Sequence, residues 1–233
     1  MNKLALLCGV AAAFVAGASF AAEGNAEKGK AIFNSGKEGT AVLACQGCHM
    51  DKGQGNDAMG TPRLAGQGAV YIVKQLNDIA TDKRKPTGLG EQMIAIAKAL
   101  SDEDKKDVAA YLHTLQGEEL SDMKAQSVPV GQAYLGQVIA KYGVKNKVSA
   151  CQSCHGYNGR GAAPVFPMIG RQKYAYLVNQ LKSWRDGSRA NDPAGMMRAV
   201  AKNLTDDDIN NVAAFLATAD ATTQGNHRVP SQD

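Results

Sequence analysis

The sequence predicts an all-α protein made of two tandem copies of one small domain. Matching segments return after 104 to 107 residues, and apolar residues recur at helical spacing within each copy. A short cysteine–histidine motif also occurs once in each copy, at Cys45–His49 and at Cys151–His155. A repeat of this length indicates duplication of a whole domain rather than a solenoid of short units.

The first 21 residues have the features of a secretory signal peptide. Lys3 precedes an apolar stretch from Leu4 to Ala18, and the small residue Ala21 ends the segment. The apolar stretch is shorter than the ~20 residues that span a bilayer, so an uncleaved membrane anchor is the alternative rather than the expectation. We therefore expect cleavage after Ala21, with loss of Cys8, and a secreted mature protein.

Composition narrows the possible functions. The chain has 233 residues, 44% of them hydrophobic, which is enough for two small domains. The formal net charge is +4, and the basic residues form no stripe along the sequence, which argues against nucleic-acid binding. After removal of the signal peptide, all remaining cysteines lie in the two C-x-x-C-H motifs, and none is left for a structural disulfide.

The matching segments set the domain boundaries. The segment from Leu64 to Leu76 returns as Ile169 to Leu181, 105 residues later. The segment from Leu100 to Leu112 returns as Leu204 to Leu216, 104 residues later. We therefore expect an N-terminal domain over residues 22–117, a linker over 118–130 and a C-terminal domain over 131–233.

Both copies are predicted to be helical. Ser101 and Thr205, each followed three positions later by an aspartate, are expected to cap a helix. Neither copy shows the alternation of apolar and polar residues that is typical of strands. Further helices are expected near Lys28–Asn34, Gln67–Ala80, Gln132–Tyr142 and Gln172–Trp184.

The C-x-x-C-H motifs predict covalent haem attachment. Two cysteines at i and i+3 can form thioethers with the two vinyl groups on one edge of a haem, and the adjacent histidine becomes an axial ligand of the iron. Zinc half-sites and thioredoxin-like pairs also use C-x-x-C, and two motifs could form one four-cysteine zinc site. The histidine after each pair, the secretory signal and the duplicated surroundings favour two haem c groups. The residues concerned are Cys45, Cys48, His49, Cys151, Cys154 and His155.

The repeat also selects a second axial ligand for each iron. Met93 lies eight residues before Ser101, and Met197 lies eight residues before Thr205. Met196 aligns with a glutamine, and the other candidates have no equivalent in the other copy: Met50, Met59, Met123, Met168, His113 and His227. We therefore predict His/Met ligation and relatively high reduction potentials, with core packing as the alternative for any single methionine.

Several neighbouring residues are candidates for supporting roles. The carbonyl groups of Pro62 and Pro167 are expected to accept hydrogen bonds from the axial histidines, with an ordinary turn proline as the alternative. Side chains that could donate to haem propionates or line the haem pockets, or simply pack in the core, are Tyr71, Tyr176, Gln75 and Gln180.

The chain resembles the di-haem cytochrome c4 family over essentially its whole mature length. The resemblance is carried by the L-A-G-Q-G segment that begins at Leu64, by the stretch Asp186–Asp192 and by the stretch that begins at Met196 and ends at Leu204. It implies two tandem class-I cytochrome c domains with Met93 and Met197 as iron ligands. It also implies a pseudo-twofold axis between the domains, with the haem propionates near the interface.

The resemblance further implies a role in the respiratory chain. A periplasmic carrier of this family takes single electrons from a quinol-oxidising complex and delivers them to a terminal oxidase, and it is commonly found in loose association with the membrane. We therefore expect an electron-transfer protein rather than an enzyme. The alternatives are a di-haem peroxidase, which needs an open iron, and an oxidase subunit held by an uncleaved N-terminus.

Overall fold

The computed structural model describes residues 24–117, 119–123 and 130–219. The expected signal peptide and His227 lie outside these ranges. Within the described ranges the chain is helical and forms isolated β-bridges only, at Asn56–Thr61, Val144–Val148 and Ala162–Phe166. The predicted all-α fold is confirmed.

The helices follow the same order in the two domains. The first domain contains α1 (Ala26–Ser35), α2 (Gln46–His49), α3 (Ala69–Ala80), α4 (Gln92–Ala99) and α5 (Asp102–Thr114). The second contains α6 (Ala133–Tyr142), α7 (Gln152–His155), α8 (Tyr174–Asp186), α9 (Met196–Ala201) and α10 (Asp206–Thr218). Short 3₁₀ turns occur at Gly88–Glu91, Tyr157–Gly159 and Pro193–Gly195. The expected helices are found within a few residues of their predicted ends, whereas the short helices α2, α4, α7 and α9 were not predicted.

The last helix of each domain begins with the expected cap. Ser101 Oγ accepts from the backbone N–H of Asp104 at 3.1 Å, and the Asp104 carboxylate accepts from the Ser101 N–H at 2.9 Å. Thr205 and Asp208 repeat both hydrogen bonds at the same distances. These reciprocal bonds satisfy backbone donors that a helix start leaves unpaired.

Each domain is organised around a close crossing of its first and last helices. Gly29 places α1 on α5, and Gly136 places α6 on α10. A Cβ atom at Gly29 would lie 1.9 Å from the Asp107 carbonyl oxygen, and one at Gly136 would lie 1.8 Å from the Asn211 carbonyl oxygen. Only glycine allows the two backbones to approach so closely.

Two separate hydrophobic cores lie around these crossings. The first includes Phe33 and Leu112, both almost fully buried, and the second includes Tyr174 and Ile209, which are fully buried. The described part of the expected linker, residues 119–123, packs between the domains. Ser121 Oγ accepts from the Tyr174 N–H at 2.8 Å in the second domain and lies 3.3 Å from Asp57 Oδ1 in the first. No helix in the described ranges is long and apolar enough to cross a membrane.

Candidate haem sites

The two C-x-x-C-H motifs form equivalent short helices. Cys45 directly precedes α2, and Cys151 directly precedes α7. The backbone N–H of His49 donates to the Cys45 carbonyl at 2.9 Å, and His155 repeats this bond to Cys151 at 2.9 Å. One helical turn separates the cysteines of each pair, so their side chains project from one side of the helix.

Each motif histidine is buried and oriented by a proline carbonyl. His49 Nδ1 lies 3.0 Å from the Pro62 carbonyl oxygen, and His155 Nδ1 lies 2.8 Å from that of Pro167. Because Nδ1 is used in this bond, Nε2 is the ring nitrogen left to bind a metal. Burial lowers the pKa of both histidines below 6.5, against the opposing effect of the carbonyl bond, so the imidazoles are held in the neutral form that ligates iron.

The cysteines are not poised for thiolate chemistry. Burial raises the pKa of the Cys45 thiol to about 11 and that of the Cys151 thiol to about 11. Redox-active and zinc-binding cysteines have lowered pKa values, which is the opposite direction. All four motif cysteines lie in the described part of the chain, and no group of three or more His, Cys, Asp or Glu side chains there could hold a metal ion. The four-cysteine arrangement of the zinc alternative is therefore not formed.

The paired methionines occupy equivalent positions on equivalent helices. Met93 is the second residue of α4, and Met197 is the second residue of α9. Both are half-buried, and Met93 packs against the first core. The other candidates within the described ranges have different surroundings. Met123 packs on the second core, and His113 is exposed with its Nδ1 3.0 Å from the Gln67 carbonyl oxygen.

Asp192 positions the helix that carries Met197, and sequence reasoning missed it. Its carboxylate accepts from the Arg198 backbone N–H at 3.0 Å and from Arg198 Nε at 2.9 Å. Burial alone would raise the pKa of Asp192, but these two hydrogen bonds outweigh burial and leave the pKa below 3.8. The corresponding positions of the first domain, Thr87 and Gly88, carry no carboxylate. The support of the two methionine helices is therefore not identical.

The structure gathers Tyr71, Gln75, Tyr176 and Gln180 into one cluster between the domains, together with two arginines. Arg84, from the first domain, donates to Tyr176 Oη at 3.0 Å and to Gln180 Oε1 at 3.0 Å, both in the second domain. It also donates to Gln75 Oε1 at 2.9 Å within its own domain.

Arg189 repeats this pattern from the second domain. It donates to Gln75 Oε1 at 3.0 Å and to Tyr71 Oη at 3.4 Å in the first domain, and also to Gln180 Oε1 in its own. Sequence reasoning missed both arginines, although they are separated by the 105 residues that also separate the paired tyrosines and glutamines. Applying the repeat test to arginine would have found them.

The cluster is positively charged and partnered by neutral groups. Among the described residues, the hydrogen-bond partners of Arg84 and Arg189 are tyrosine hydroxyls and amide oxygens, and none is a carboxylate. Burial alone would raise the pKa of Tyr176, but the charges of the two arginines lower it below 10. Buried guanidinium groups normally meet anions, so this cluster is suited to carboxylates from a cofactor.

The residues present fit a covalently attached haem in each domain. Paired cysteines are available for the thioethers, a buried neutral histidine presents Nε2 for the iron, and the arginines of the cluster can donate hydrogen bonds to propionate carboxylates. The same set of groups occurs twice. A family model for cytochrome c matches residues 26–116 and 140–220, one match in each domain.

The chain belongs to the di-haem cytochrome c4 family. A cytochrome c4 from Stutzerimonas stutzeri is 36% identical over 190 residues, which cover 75% of this chain and 84% of that protein. The crystal structure of reduced recombinant cytochrome c4 from Pseudomonas stutzeri matches with a TM-score of 0.71 and 30% identity, over 84% of this chain and 100% of that chain.

Other relatives of this cytochrome carry a more specific name. A "thiosulfate dehydrogenase electron acceptor" from Stutzerimonas stutzeri strain A1501 is 34% identical over 212 residues, which cover 91% of this chain and 93% of that protein. A thiosulfate dehydrogenase structure, TsdBA from Marichromatium purpuratum, matches with a TM-score of 0.76 and 31% identity over 84% of this chain. The cytochrome spans only 40% of that longer chain.

These relationships confirm two covalently bound haem c groups and a role as a cytochrome c4-like electron carrier. Reversible one-electron exchange between Fe(III) and Fe(II) is the chemistry that the two haems supply.

Proposed function

We propose that the protein is a periplasmic carrier of single electrons whose two haems are both six-coordinate, with one histidine and one methionine on each iron. Cys45 and Cys48 would hold the first haem, and Cys151 and Cys154 the second. The axial pairs would be His49 with Met93, and His155 with Met197.

The observation that carries this proposal is the recurrence of one donor set in two domains. In each domain a proline carbonyl holds the motif histidine, and a methionine lies at the second position of the equivalent later helix. A second strong ligand closes the iron to peroxide and oxygen and leaves outer-sphere electron transfer as its chemistry. A di-haem peroxidase needs one iron with an open sixth coordination position. Methionines at equivalent positions in both domains argue against this alternative.

The Fe(III)–sulfur absorption band tests the ligation directly. The oxidised protein should show the band at an intensity that corresponds to two haems. The reduced protein should bind carbon monoxide slowly and to a small extent, because the methionine must first leave the iron. Fast and complete binding of carbon monoxide at one haem would overturn the closed-site assignment for that haem.

For its partners, we propose a quinol-oxidising complex as donor and a terminal oxidase as acceptor. The mature chain would reach the periplasm through a signal peptide over residues 1–21. The proposed domains span residues 22–117 and 131–233, with a linker over residues 118–130. N-terminal sequencing of the periplasmic protein tests the location: a start at Ala22 supports it, and a retained Met1 supports the membrane-anchored alternative.

A second donor is favoured by a specific observation. Two curated relatives are called thiosulfate dehydrogenase electron acceptors, one of them matched over 91% of this chain. A thiosulfate dehydrogenase could therefore reduce this cytochrome. Stopped-flow mixing of the oxidised protein with purified thiosulfate dehydrogenase and thiosulfate, and separately with a quinol-oxidising complex and quinol, distinguishes the donors. The donor that reduces both haems within its own turnover time is the physiological one.

A further inference from the structure

Two buried glutamines, Gln67 and Gln172, connect each domain to the segment of the other that orients its motif histidine. This segment is Pro62–Arg63 in the first domain and Pro167–Met168 in the second. They occupy equivalent positions, 105 residues apart in the sequence. Gln67 immediately precedes the N-cap residue of α3, and Gln172 immediately precedes that of α8. Gln67 is 5% exposed and Gln172 is 6% exposed. Both side chains reach across the domain interface.

Gln172 is hydrogen-bonded to the backbone of Arg63 in the first domain. Its Oε1 accepts from the Arg63 N–H at 2.7 Å, and its Nε2 donates to the Arg63 carbonyl at 3.0 Å. The same Oε1 accepts from the Lys173 N–H at 2.8 Å. Two N–H donors at one oxygen and a carbonyl at the nitrogen define the orientation of the amide.

Gln67 makes the same contacts in the opposite direction. Its Oε1 accepts from the Met168 N–H at 2.9 Å, and its Nε2 donates to the Met168 carbonyl at 2.9 Å. The Gly68 N–H completes the set at 3.1 Å from Oε1. The arrangement is therefore symmetric, with each domain holding one residue of the other.

The glutamines bind Arg63 and Met168. Each of these residues comes immediately after the proline that orients a motif histidine. The Arg63 N–H belongs to the same peptide group as the Pro62 carbonyl, which accepts from His49 Nδ1. The Met168 N–H belongs to the same peptide group as the Pro167 carbonyl, which accepts from His155 Nδ1. One peptide group thus accepts from the histidine at its oxygen and donates to the glutamine of the other domain at its nitrogen.

Hydrogen bonds that share a peptide group strengthen one another. A peptide that donates its N–H to a good acceptor carries more negative charge on its carbonyl oxygen, and the bond accepted there becomes stronger. A stronger bond at Nδ1 makes the imidazole a better electron donor to the metal at Nε2. Greater donation stabilises Fe(III) relative to Fe(II) and lowers the reduction potential.

We propose that Gln172 is a positioning residue for the His49 site and that Gln67 is a positioning residue for the His155 site, so that each domain lowers the reduction potential of the haem in the other. The inference rests on the proposed role of His49 and His155 as iron ligands. It assigns a function to the domain interface beyond assembly, because separating or shifting the domains would change both potentials.

The test compares two variants of the full-length holoprotein, Gln172→Met and Gln67→Met. Methionine keeps the length and the burial of glutamine and removes its hydrogen bonds. Gln172→Met is expected to favour reduction of the first haem by about threefold in its equilibrium constant and to leave the second haem unchanged. Gln67→Met should show the reverse pattern. Spectroelectrochemical titration with the two haems resolved measures both.

Nuclear magnetic resonance of the reduced protein provides a second measurement. The Nδ1–H resonance of His49 should move upfield in Gln172→Met, as the bond to Pro62 weakens, and the resonance of His155 should stay in place. Gln172→Glu retains an oxygen acceptor for the Arg63 N–H, although it loses the bond to the Arg63 carbonyl. Because a carboxylate is at least as strong an acceptor as an amide, the His49 resonance should not move upfield in this variant.

Ser121→Ala is the control for a merely structural effect, because it removes the 2.8 Å hydrogen bond from the Tyr174 N–H to the linker. The hydrogen bonds of the Ser121 side chain, to Tyr174 and Asp57, do not involve the peptide groups that accept from His49 and His155. The inference is overturned if Ser121→Ala and Gln172→Met shift the reduction potentials of both haems by the same amount. It is also overturned if Gln172→Met shifts only the potential of the second haem, in the domain that carries the substitution. If the histidine resonances show that His49 or His155 is not bound to iron, the proposed ligation fails at that haem and the inference fails with it. Normal histidine ligation with unshifted potentials refutes the inference alone.

Discussion

The guanidinium group of Arg84, in the first domain, lies 3.0 Å from the phenolic oxygen of Tyr176, in the second. The equivalent pair, Arg189 and Tyr71, makes the corresponding contact at 3.4 Å. Each contact joins residues that the domain duplication placed in separate copies. The interface is thus built from positions that recur in the sequence, and their contact partners lie in the opposite copy.

Loss of one interfacial arginine should destabilise the protein. Arg84→Gln removes three hydrogen bonds made by a partly buried charge, two of them to the second domain, so we expect a loss of about 2 kcal/mol or more in the free energy of unfolding. Denaturant unfolding of the holoprotein, followed by haem absorbance, measures this. Lys98→Gln is the control, because the ion pair between Lys98 and Asp82 is solvent-exposed at both ends and should contribute little. Equal losses in the two variants would contradict a structural role for Arg84.

Each predicted methionine ligand should account for half of the Fe(III)–sulfur absorption band. Met93→Ala should remove the contribution of the first haem and Met197→Ala that of the second, because the thioether is the source of the band. Both variants should lower the potential of the affected haem, since a thioether favours Fe(II). Met168→Ala is the matched control, because Met168 has no methionine counterpart in the first domain. A full band in Met93→Ala would exclude Met93 as a ligand.

The glycines at the two helix crossings should tolerate no side chain. Gly29→Ala and Gly136→Ala each bring a Cβ atom to less than 2 Å from a backbone oxygen unless the helices separate. We expect a loss of about 3 kcal/mol in the free energy of unfolding for either variant, because the helix pair must shift and loosen the core. Thermal unfolding of the holoprotein tests this. Gly47→Ala is the control: a Cβ there meets nothing within 4 Å, and the equivalent residue of the second motif is Ser153.

The second haem site should be sensitive to acid through Asp192. The pKa of this carboxyl group is lowered in the folded protein, so its stabilising effect is present above pH 3.8 and is lost as the pH falls through the lower folded-state pKa. Protonation of Asp192 weakens its hydrogen bonds to Arg198, the residue after Met197. The second haem's share of the Fe(III)–sulfur band should therefore decrease as the pH falls through this pKa. Asp192→Asn should show a weakened band at neutral pH.

Asp207→Asn, at an exposed position near the start of α10, is the control for the loss of one negative charge. If both aspartate variants keep a full band at neutral pH and titrate as the wild type does, Asp192 has no part in positioning Met197.

Local patterns in the sequence were sufficient for much of the fold. The reciprocal caps at Ser101 and Thr205 were predictable because capping depends on residues three positions apart. The bonds from His49 to Pro62 and from His155 to Pro167 span only 13 and 12 residues and recur at matching places in the repeat. The helices α4 and α9 were missed because they have only eight and six residues and directly follow 3₁₀ turns, so the apolar periodicity is too brief to detect.

The sequence by itself determined the duplicated domain, the two haem-attachment motifs and the pairing of Met93 with Met197, because all of these are relationships at fixed spacing along the chain. Only the tertiary structure decided which residues of the two copies meet. It brought Arg84 to Tyr176 and Gln172 to the peptide group that orients His49. Such contacts depend on how two folded surfaces dock, and docking is set by shape and by the need to satisfy buried charge and buried hydrogen-bonding groups, which no spacing within one copy encodes.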